Sequence, residues 1–310
     1  MGGILGKLFL NYNRQSSFIS KVSKFITLGT PWNGAMDSYK TIKYGKSIPD
    51  KKIKGWVLSK ESSKKITPYF PSVYQLLPSK NYCKLAEKTE EKVLVSYRIN
   101  DKNYYDNEEF FNEHLKASFE ECGHNYLEVV NDYYELLNQD LPPHIEHSEI
   151  IGLGSLTIAG ITENALGEAE GDYRNGDGTV PLFSALSRDD RTYFVNKVEH
   201  TDLPKDANVI SLVSSIINGE DQLMDNSNIF RKLDSEYNKG FNGQILKVAC
   251  PVAVSLVDTD GNIISGAIET IDEEGILKTF EHDFKVEKLG NTTYIIYDEE
   301  KEQHNDLSKV

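Results

Sequence analysis

Apolar residues near the start of the chain follow the three- and four-residue spacing of an amphipathic helix. They are Ile4, Leu5, Leu8, Phe9 and Tyr12. Three short β-prone runs, at 25–28, 148–153 and 191–198, predict buried strands. An apolar run over 209–217 predicts a helix that stops before Gly219. Because strands alternate with helices, the pattern predicts an α/β fold with a parallel sheet.

Two other regions depart from this pattern. Residues 33–145 are polar, rich in aromatic side chains and without a dominant period, which is typical of an insertion that covers a site. Beyond about residue 240, the segments 244–258 and 291–297 are β-rich. We therefore expect a partial α/β domain over 1–230, with a cap insertion at about 33–145, and a small β-rich domain over 240–310.

Composition narrows the range of functions. The 310 residues carry a net charge of −14, which argues against a general nucleic-acid partner. No apolar run approaches the roughly 18 residues of a transmembrane helix. The opening residues lack the basic-then-apolar pattern of a secretory signal, so the compartment stays open. Cys83, Cys122 and Cys250 are too widely spaced for a disulfide scaffold or a cysteine zinc site. We expect no metal centre and no cofactor.

Charge is distributed unevenly along the chain. Residues 1–80 hold 14 Lys/Arg against 3 Asp/Glu, whereas the remainder holds 20 against 45. The densest basic run, 40–65, surrounds Trp56. Two interpretations fit this run: a solvated loop that balances acidic surface elsewhere, or contact with an anionic membrane surface.

Two residues carry the candidate chemistry. Asp177 lies between Gly176 and Gly178, and His200 follows after one further predicted strand. An acid followed by a final histidine is the chain order of α/β hydrolases. In these enzymes the acid orients the histidine, and the histidine activates a hydroxyl nucleophile. The alternatives are an ordinary Asp-Gly turn and a structural histidine at a strand end.

The nucleophile of such a site is missing from the sequence. No serine has glycine at both −2 and +2, so the G-x-S-x-G elbow of α/β hydrolases is absent. A phosphate-binding loop, a G-x-G-x-x-G fingerprint and an H-E-x-x-H motif are absent as well. His144 and His147 lie three positions apart, but no third metal ligand follows at a recognisable spacing.

Four segments, taken in order, resemble the lecithin:cholesterol acyltransferase-like family of lipases and acyltransferases. They are 25–35 (FITLGTPWNGA), 71–78 (PSVYQLLP), 176–181 (GDGTVP) and His200 after a strand. The resemblance implies an α/β-hydrolase fold with a lipid-facing cap, and the hydrolysis or transfer of acyl chains from lipid esters. It assigns Asp177 as the triad acid and His200 as the base. It also places Thr30, Pro31 and Trp32 beside the acyl substrate.

The nucleophile motif of this family typically has the sequence G-H-S-M-G-G, and this chain opens Met1-Gly2-Gly3. The resemblance implies that Met1 follows the serine and that its backbone N–H serves the oxyanion hole. It also implies that the chain holds the C-terminal part of the α/β-hydrolase fold. We expect little turnover from the chain alone, and a separately encoded N-terminal half as a partner. A non-catalytic remnant, a lipid- or partner-binding module and a carboxylesterase of small esters remain alternatives.

Overall fold

The computed structural model describes the chain in blocks separated by short gaps. The described residues are 1–46, 58–88, 97–99, 102–104, 133–164, 169–187, 191–220, 228–231, 243–249, 255–257, 263–266, 270–271, 277–278, 284–290 and 292–298. Much of the predicted cap at 33–145 therefore lies outside the described residues. The same is true of 47–57 in the basic run, which includes Trp56.

Helices and strands both occur over residues 2–218, and strands alone beyond residue 218 among the described residues. The helices are α1 (Gly2–Tyr12), α2 (Met36–Tyr44), α3 (Lys60–Ile66), α4 (Pro71–Gln75), α5 (Lys80–Lys88), α6 (Leu182–Ala185) and α7 (Ala207–Asn218). The strands are β1 (Lys24–Leu28), β2 (Tyr97–Ile99), β3 (Lys102–Tyr104), β4 (Glu146–Leu153), β5 (Ser155–Glu163), β6 (Ala169–Gly176), β7 (Thr192–Asn196), β8 (Ile229–Phe230), β9 (Gly243–Ala249), β10 (Ser255–Val257), β11 (Ile263–Gly266), β12 (Thr270–Ile271), β13 (Leu277–Lys278), β14 (Phe284–Leu289) and β15 (Thr292–Asp298). A short helical stretch covers 133–137, and 3₁₀ turns cover Ile19–Lys21 and Thr67–Tyr69.

A four-stranded sheet in the order β1-β4-β7-β8 forms the centre of the α/β part. β1, β4 and β7 run parallel, whereas β8 runs antiparallel to β7. Leu28 of β1 pairs with Ile150 of β4, which in turn pairs with Tyr193 of β7. These strands confirm the three predicted runs and the α/β class. Their common direction brings their carboxyl ends to one edge of the sheet, where sites of open α/β sheets form.

Helices cover both faces of this sheet. Val209 and Ile216 of α7 pack with Ile150 of β4 on one face. Successive side chains of a strand point to opposite faces, so Ile151 packs with α6 and Phe25 with α1 on the other. The result is a three-layer arrangement of helix, sheet and helix.

α7 has the boundaries that its sequence predicts. Asp206 caps its start, because its Oδ1 accepts hydrogen bonds from the backbone N–H groups of Asn208 at 2.9 Å and Val209 at 3.0 Å. Gly219 ends it with a left-handed φ of 75°. These two caps therefore define the ends of a helix that packs on one face of the sheet.

α1 confirms the first predicted helix but buries only part of its apolar surface. Ile4 and Leu10 are buried, whereas Leu5, Phe9 and Tyr12 are exposed. The last three lie on one face of the helix, because they are spaced four and three residues apart. The described residues thus leave one apolar face of α1 open to solvent.

A second sheet in the order β3-β2-β5-β6 packs against α2. The C-terminal strands β14, β15 and β9 form a third, antiparallel sheet. Leu289 and Ile296 from this sheet share one buried cluster with Met36 and Tyr39 of α2 and Ile158 of β5. The β-rich character predicted beyond residue 240 is confirmed. The division into domains at 1–230 and 240–310 stays a prediction.

Polar contacts reinforce the join between the C-terminal strands and the rest of the chain. Glu287 of β14 forms a 3.0 Å ion pair with Lys40 of α2, and both side chains are largely buried. The same carboxylate accepts a 2.8 Å hydrogen bond from the Tyr173 hydroxyl. The Tyr294 hydroxyl accepts a 2.9 Å hydrogen bond from the backbone N–H of Gly171. Across the described part of the chain, no helix has the length and hydropathy needed to span a membrane.

The two adjacent glycines of α1 provide a matched test of its packing. A Cβ added at Gly3 would lie 2.1 Å from Oγ1 of the buried Thr30, whereas one added at Gly2 meets nothing within 4 Å. We expect Gly3→Ala to lower the free energy of unfolding by about 1–3 kcal/mol, the usual cost of overpacking. Gly2→Ala should be neutral or slightly stabilising. Urea unfolding of both variants checks this, and equal effects would contradict the packing of α1 on Thr30.

Candidate functional site

Asp177 and His200 meet at the carboxyl edge of the central sheet. Oδ2 of Asp177 lies 2.7 Å from Nδ1 of His200, and the backbone N–H of His200 donates to the Asp177 carbonyl at 2.8 Å. Asp177 is 1% exposed, and the side chain of His200 is 28% exposed. Because Nδ1 faces the carboxylate, proton exchange with another molecule falls to Nε2. The pair therefore has the geometry of an acid that orients a general base.

A tight turn after β6 holds Asp177. Its Oδ1 accepts hydrogen bonds from the backbone N–H groups of Thr179 at 3.0 Å and Val180 at 2.7 Å. Gly178 adopts a φ of 82°, which favours glycine, and its N–H donates to the Thr157 hydroxyl at 2.8 Å. An Asp-Gly turn is thus present, and it also supplies the carboxylate that meets His200. The two interpretations of this segment are compatible.

Two glycines at the ends of neighbouring strands leave room for the pair. Gly29, just after β1, has a φ of 54°, and a Cβ there would lie 2.8 Å from Asp177 Oδ2 and 2.9 Å from His200 Nδ1. A Cβ at Gly152 of β4 would lie 2.8 Å from the Asp177 Cβ. Side chains at these two positions would push the carboxylate and the imidazole apart.

The loop after Gly29 contains the three residues predicted to lie beside a substrate. Thr30 and Pro31 are buried, and Trp32 is 8% exposed. The indole of Trp32 packs in a cluster with Ile4 of α1 and with Tyr133 and Leu137 of the 133–137 stretch. Thr30 and Pro31 directly follow Gly29, which abuts the Asp177–His200 pair, whereas the indole of Trp32 is buried in the cluster just described. Their role in substrate binding stays a prediction.

Glu149 of β4 anchors that loop, and sequence reasoning did not single it out for this role. Its Oε1 accepts a 2.5 Å hydrogen bond from Nε1 of Trp32, and its Oε2 accepts from the backbone N–H of Ser187 at 3.2 Å. The Thr192 hydroxyl lies 3.3 Å from the same Oε2. Burial raises the pKa of Glu149, although these hydrogen bonds oppose the shift. The sequence signal that could have identified Glu149 is its position directly before an apolar pair in a predicted buried strand.

Met1 lies at the start of α1, where its carbonyl accepts the first helical hydrogen bond from Leu5 N–H at 3.0 Å. Gly3, two residues later, lies against Thr30, so this end of α1 is next to the loop that follows Gly29. N–H groups at a helix start favour negative charge. The predicted oxyanion role of Met1 stays a prediction.

The two other candidate histidines have separate partners. Nε2 of His144 lies 3.0 Å from the Ile19 carbonyl, and Nε2 of His147 lies 3.0 Å from the Thr27 hydroxyl. His147 also stacks on Phe25, with ring centroids 5.1 Å apart. Among the described residues, no group of three or more His, Cys, Asp or Glu side chains could hold a metal ion.

Comparison with known proteins identifies a family that part of this chain resembles. An acid–histidine pair at the carboxyl edge of a parallel sheet is typical of α/β enzymes that use an activated hydroxyl. Residues 1–149 match the family described as Lecithin:cholesterol acyltransferase. This match contains the segments 25–35 and 71–78, whereas Asp177 and His200 lie beyond it. It confirms the resemblance found in the sequence and supports assignment of the chain to the lecithin:cholesterol acyltransferase-like family of lipases and acyltransferases.

A second similarity covers a smaller part of the chain. A stretch of 97 residues is 32% identical to Male gametocyte surface protein P230p of Plasmodium falciparum (isolate 3D7). The similarity covers 31% of this chain and 4% of that protein. The chain therefore spans only a small fraction of the length of this relative.

The burial of Glu149 beside Trp32 leads to a prediction about how the stability of the protein depends on pH. Glu149 has a folded-state pKa above its value of 4.5 in the unfolded chain, so the folded state binds the proton more tightly. The free energy of unfolding of the wild type should therefore fall as pH rises from 4.5 through the raised pKa of Glu149. Glu149→Gln should not show this fall, because glutamine does not ionise. Between pH 4.5 and 7, we expect the melting temperature of Glu149→Gln to rise relative to that of the wild type.

The matched control is Glu146→Gln, at a more exposed glutamate on the same strand. It reports any general effect of removing one carboxylate from β4. An equal trend in both variants, or a constant gap between Glu149→Gln and wild type, would contradict the assigned cost of ionising Glu149.

Proposed function

We propose that this protein is part of a lipid ester hydrolase or O-acyltransferase in which Asp177 and His200 are the acid and base of a Ser–Asp–His triad. The observation that carries the proposal is the 2.7 Å contact between Asp177 Oδ2 and His200 Nδ1 at the carboxyl edge of the sheet. The family match over residues 1–149 supports a lipid ester as the substrate class.

The proposed reaction follows from this geometry. A serine hydroxyl attacks the ester carbonyl while Nε2 of His200 takes its proton, and a tetrahedral oxyanion forms. His200 then returns the proton to the leaving alcohol, which leaves an acyl-enzyme. Water or a second alcohol releases the acyl chain by the same steps. Throughout, the Asp177 carboxylate accepts the Nδ1 hydrogen of His200 and stabilises the imidazolium that forms.

The fold assignment belongs to the same proposal. We assign β1, β4 and β7 to the C-terminal part of an α/β-hydrolase sheet, with 33–145 as a cap insertion and 240–310 as a small β-rich domain. Two observations support the assignment. Asp177 follows β6, after the parallel strand β4, and His200 follows the next parallel strand, β7. α7 then packs back onto the sheet against β4 and β7.

The nucleophile of the proposed triad comes from a serine outside these 310 residues. The sequence contains no G-x-S-x-G elbow that could supply it. β1 is the last strand at one side of its described sheet, so a parallel strand can add there. The exposed Leu5, Phe9 and Tyr12 of α1 provide apolar surface for the same segment. The serine would then arrive at the start of α1, where Met1 N–H can serve the oxyanion.

A non-catalytic lipid- or partner-binding module is the alternative that the absent elbow motif favours. In that case the Asp177–His200 contact is purely structural. The two functions differ in what the missing segment does, because only the triad gains activity when a serine is supplied.

The test is to fuse to Met1 an N-terminal α/β-hydrolase segment that supplies further strands and ends in Gly-His-Ser. The extended protein should release fatty acid from phospholipid vesicles. The 310 residues alone should be slower by about 10⁶-fold, the usual cost of removing a triad serine. In the extended protein, His200→Ala should cost a similar factor, and Asp177→Asn about 10⁴-fold.

The control is His144→Ala, because His144 contacts Ile19 and not the proposed triad. This variant should keep its rate. A lipase rate from the 310 residues that survives His200→Ala would refute the proposed triad. An extended protein that folds and binds lipid without turnover would favour the non-catalytic module.

A further inference from the structure

The side chain of Thr30 carries a hydroxyl without a hydrogen-bond partner in the described part of the chain. Thr30 is 4% exposed. Its carbonyl accepts a 3.0 Å hydrogen bond from Trp32 N–H, whereas its Oγ1 bonds to no described residue. The buried Thr27, three residues earlier, differs, because its hydroxyl lies 3.0 Å from Nε2 of His147. A buried hydroxyl that forms no hydrogen bond destabilises the fold, so its presence indicates a ligand site.

The Thr30 hydroxyl faces the start of α1. A Cβ added at Gly3 would lie 2.1 Å from Thr30 Oγ1. The Cα–Cβ bonds of an α-helix all tilt toward its N-terminal end. Oγ1 therefore lies on the N-terminal side of Gly3, which is the side toward which the first N–H groups of the helix point.

The first turn of α1 supplies further hydrogen-bond donors. Its first helical hydrogen bond runs from Leu5 N–H to the Met1 carbonyl. The N–H groups of Gly2, Gly3 and Ile4 therefore have no acceptor within the helix. In the described part of the chain no side chain caps this end, these N–H groups have no other acceptor, and the first turn contains no acidic residue. The partial positive charge at such a helix start favours an anion.

These donors lie next to the candidate acid–histidine pair. Gly29 directly precedes Thr30, and a Cβ on Gly29 would lie 2.8 Å from Asp177 Oδ2 and 2.9 Å from His200 Nδ1. The Thr30 hydroxyl, the start of α1 and the His200 ring thus border one region at the carboxyl edge of the sheet. An oxygen anion in this region would meet donors that the fold has already fixed, which is the arrangement that stabilises oxyanions in enzymes.

We propose that the Thr30 hydroxyl, with the first-turn N–H groups of α1, binds a negatively charged acyl oxygen: the oxyanion during reaction and the carboxylate of the released fatty acid. The inference rests on the proposed function for the origin of the acyl group, and it adds a side-chain donor to the backbone N–H of Met1. Carboxylate binding is measured without turnover, so a failed triad and a failed anion site give different results.

The experiment is an NMR titration of the 310-residue chain with octanoate, followed through the amide resonances of Gly3 and Ile4. Octanol, which has the same chain length without the charge, is the second probe. We expect octanoate to bind and octanol to bind much more weakly. Thr30→Val replaces only the hydroxyl, and it should weaken octanoate binding by about tenfold or more, the usual effect of removing a hydrogen bond to a charged group. Thr30→Ser keeps the hydroxyl and should bind like the wild type.

The matched control is Thr27→Val, because Thr27 is equally buried but its hydroxyl is hydrogen-bonded to His147. This variant should bind octanoate like the wild type and unfold at a lower urea concentration. Thr30→Val should unfold at the same urea concentration as the wild type or a higher one, because it loses no hydrogen bond within the protein. A structural role for the Thr30 hydroxyl predicts the opposite shift.

In the extended protein, Thr30→Val should lower kcat by about 10²–10³-fold with little change in KM, the usual effect of removing one oxyanion donor. An extended protein without turnover would refute the triad, whereas octanoate binding that depends on Thr30 would still support the anion site. Absent octanoate binding, equal binding of octanol, unchanged binding or kcat in Thr30→Val, or equal losses in Thr27→Val would each overturn the proposal.

Discussion

The candidate site depends on the hydrogen bonds that the buried carboxylate of Asp177 accepts. Removing an ionisable group from water is costly unless hydrogen bonds replace its hydration. Here two backbone N–H groups, of Thr179 and Val180, bind Oδ1, and the His200 ring binds Oδ2. The Asp177 carbonyl also accepts from His200 N–H, so side chain and backbone join the same two segments. The turn after β6 and the loop after β7 are consequently fixed as one unit.

Space for this unit is created by the absence of side chains. Gly29 and Gly152 end neighbouring parallel strands, and Gly3 lets α1 approach the intervening loop. Glycine costs conformational entropy in strands and helices, by roughly 0.5–1 kcal/mol relative to alanine. The protein accepts this cost at three positions around one pair of polar side chains, and elsewhere α7 and the sheet pack with ordinary aliphatic residues.

The features that could be predicted from the sequence are those encoded locally. The apolar patterns of β1, β4, β7 and α7 predicted their positions, and the acid-then-histidine order predicted that Asp177 and His200 would act as a pair. The exposed side of α1 was not predictable, because a helical period shows which residues share a face but not what covers it. The Trp32–Glu149 bond joins residues 117 positions apart, and no local pattern encodes such a pairing. The chemical groups of the candidate site were thus predictable from the sequence, whereas the contacts that hold the neighbouring loop in place were not.

The ion pair between Lys40 and Glu287 has a consequence for how the molecule is made. α2 begins directly after the loop beside the candidate site, yet its buried lysine meets its carboxylate only when almost the whole chain has left the ribosome. Contacts of such long sequence separation form late, because the loop entropy must be overcome first. During synthesis from the N terminus, Lys40 of α2 would therefore lack its ion-pair partner until Glu287 has been made. The contacts between α2 and β14 therefore form at a late stage of folding.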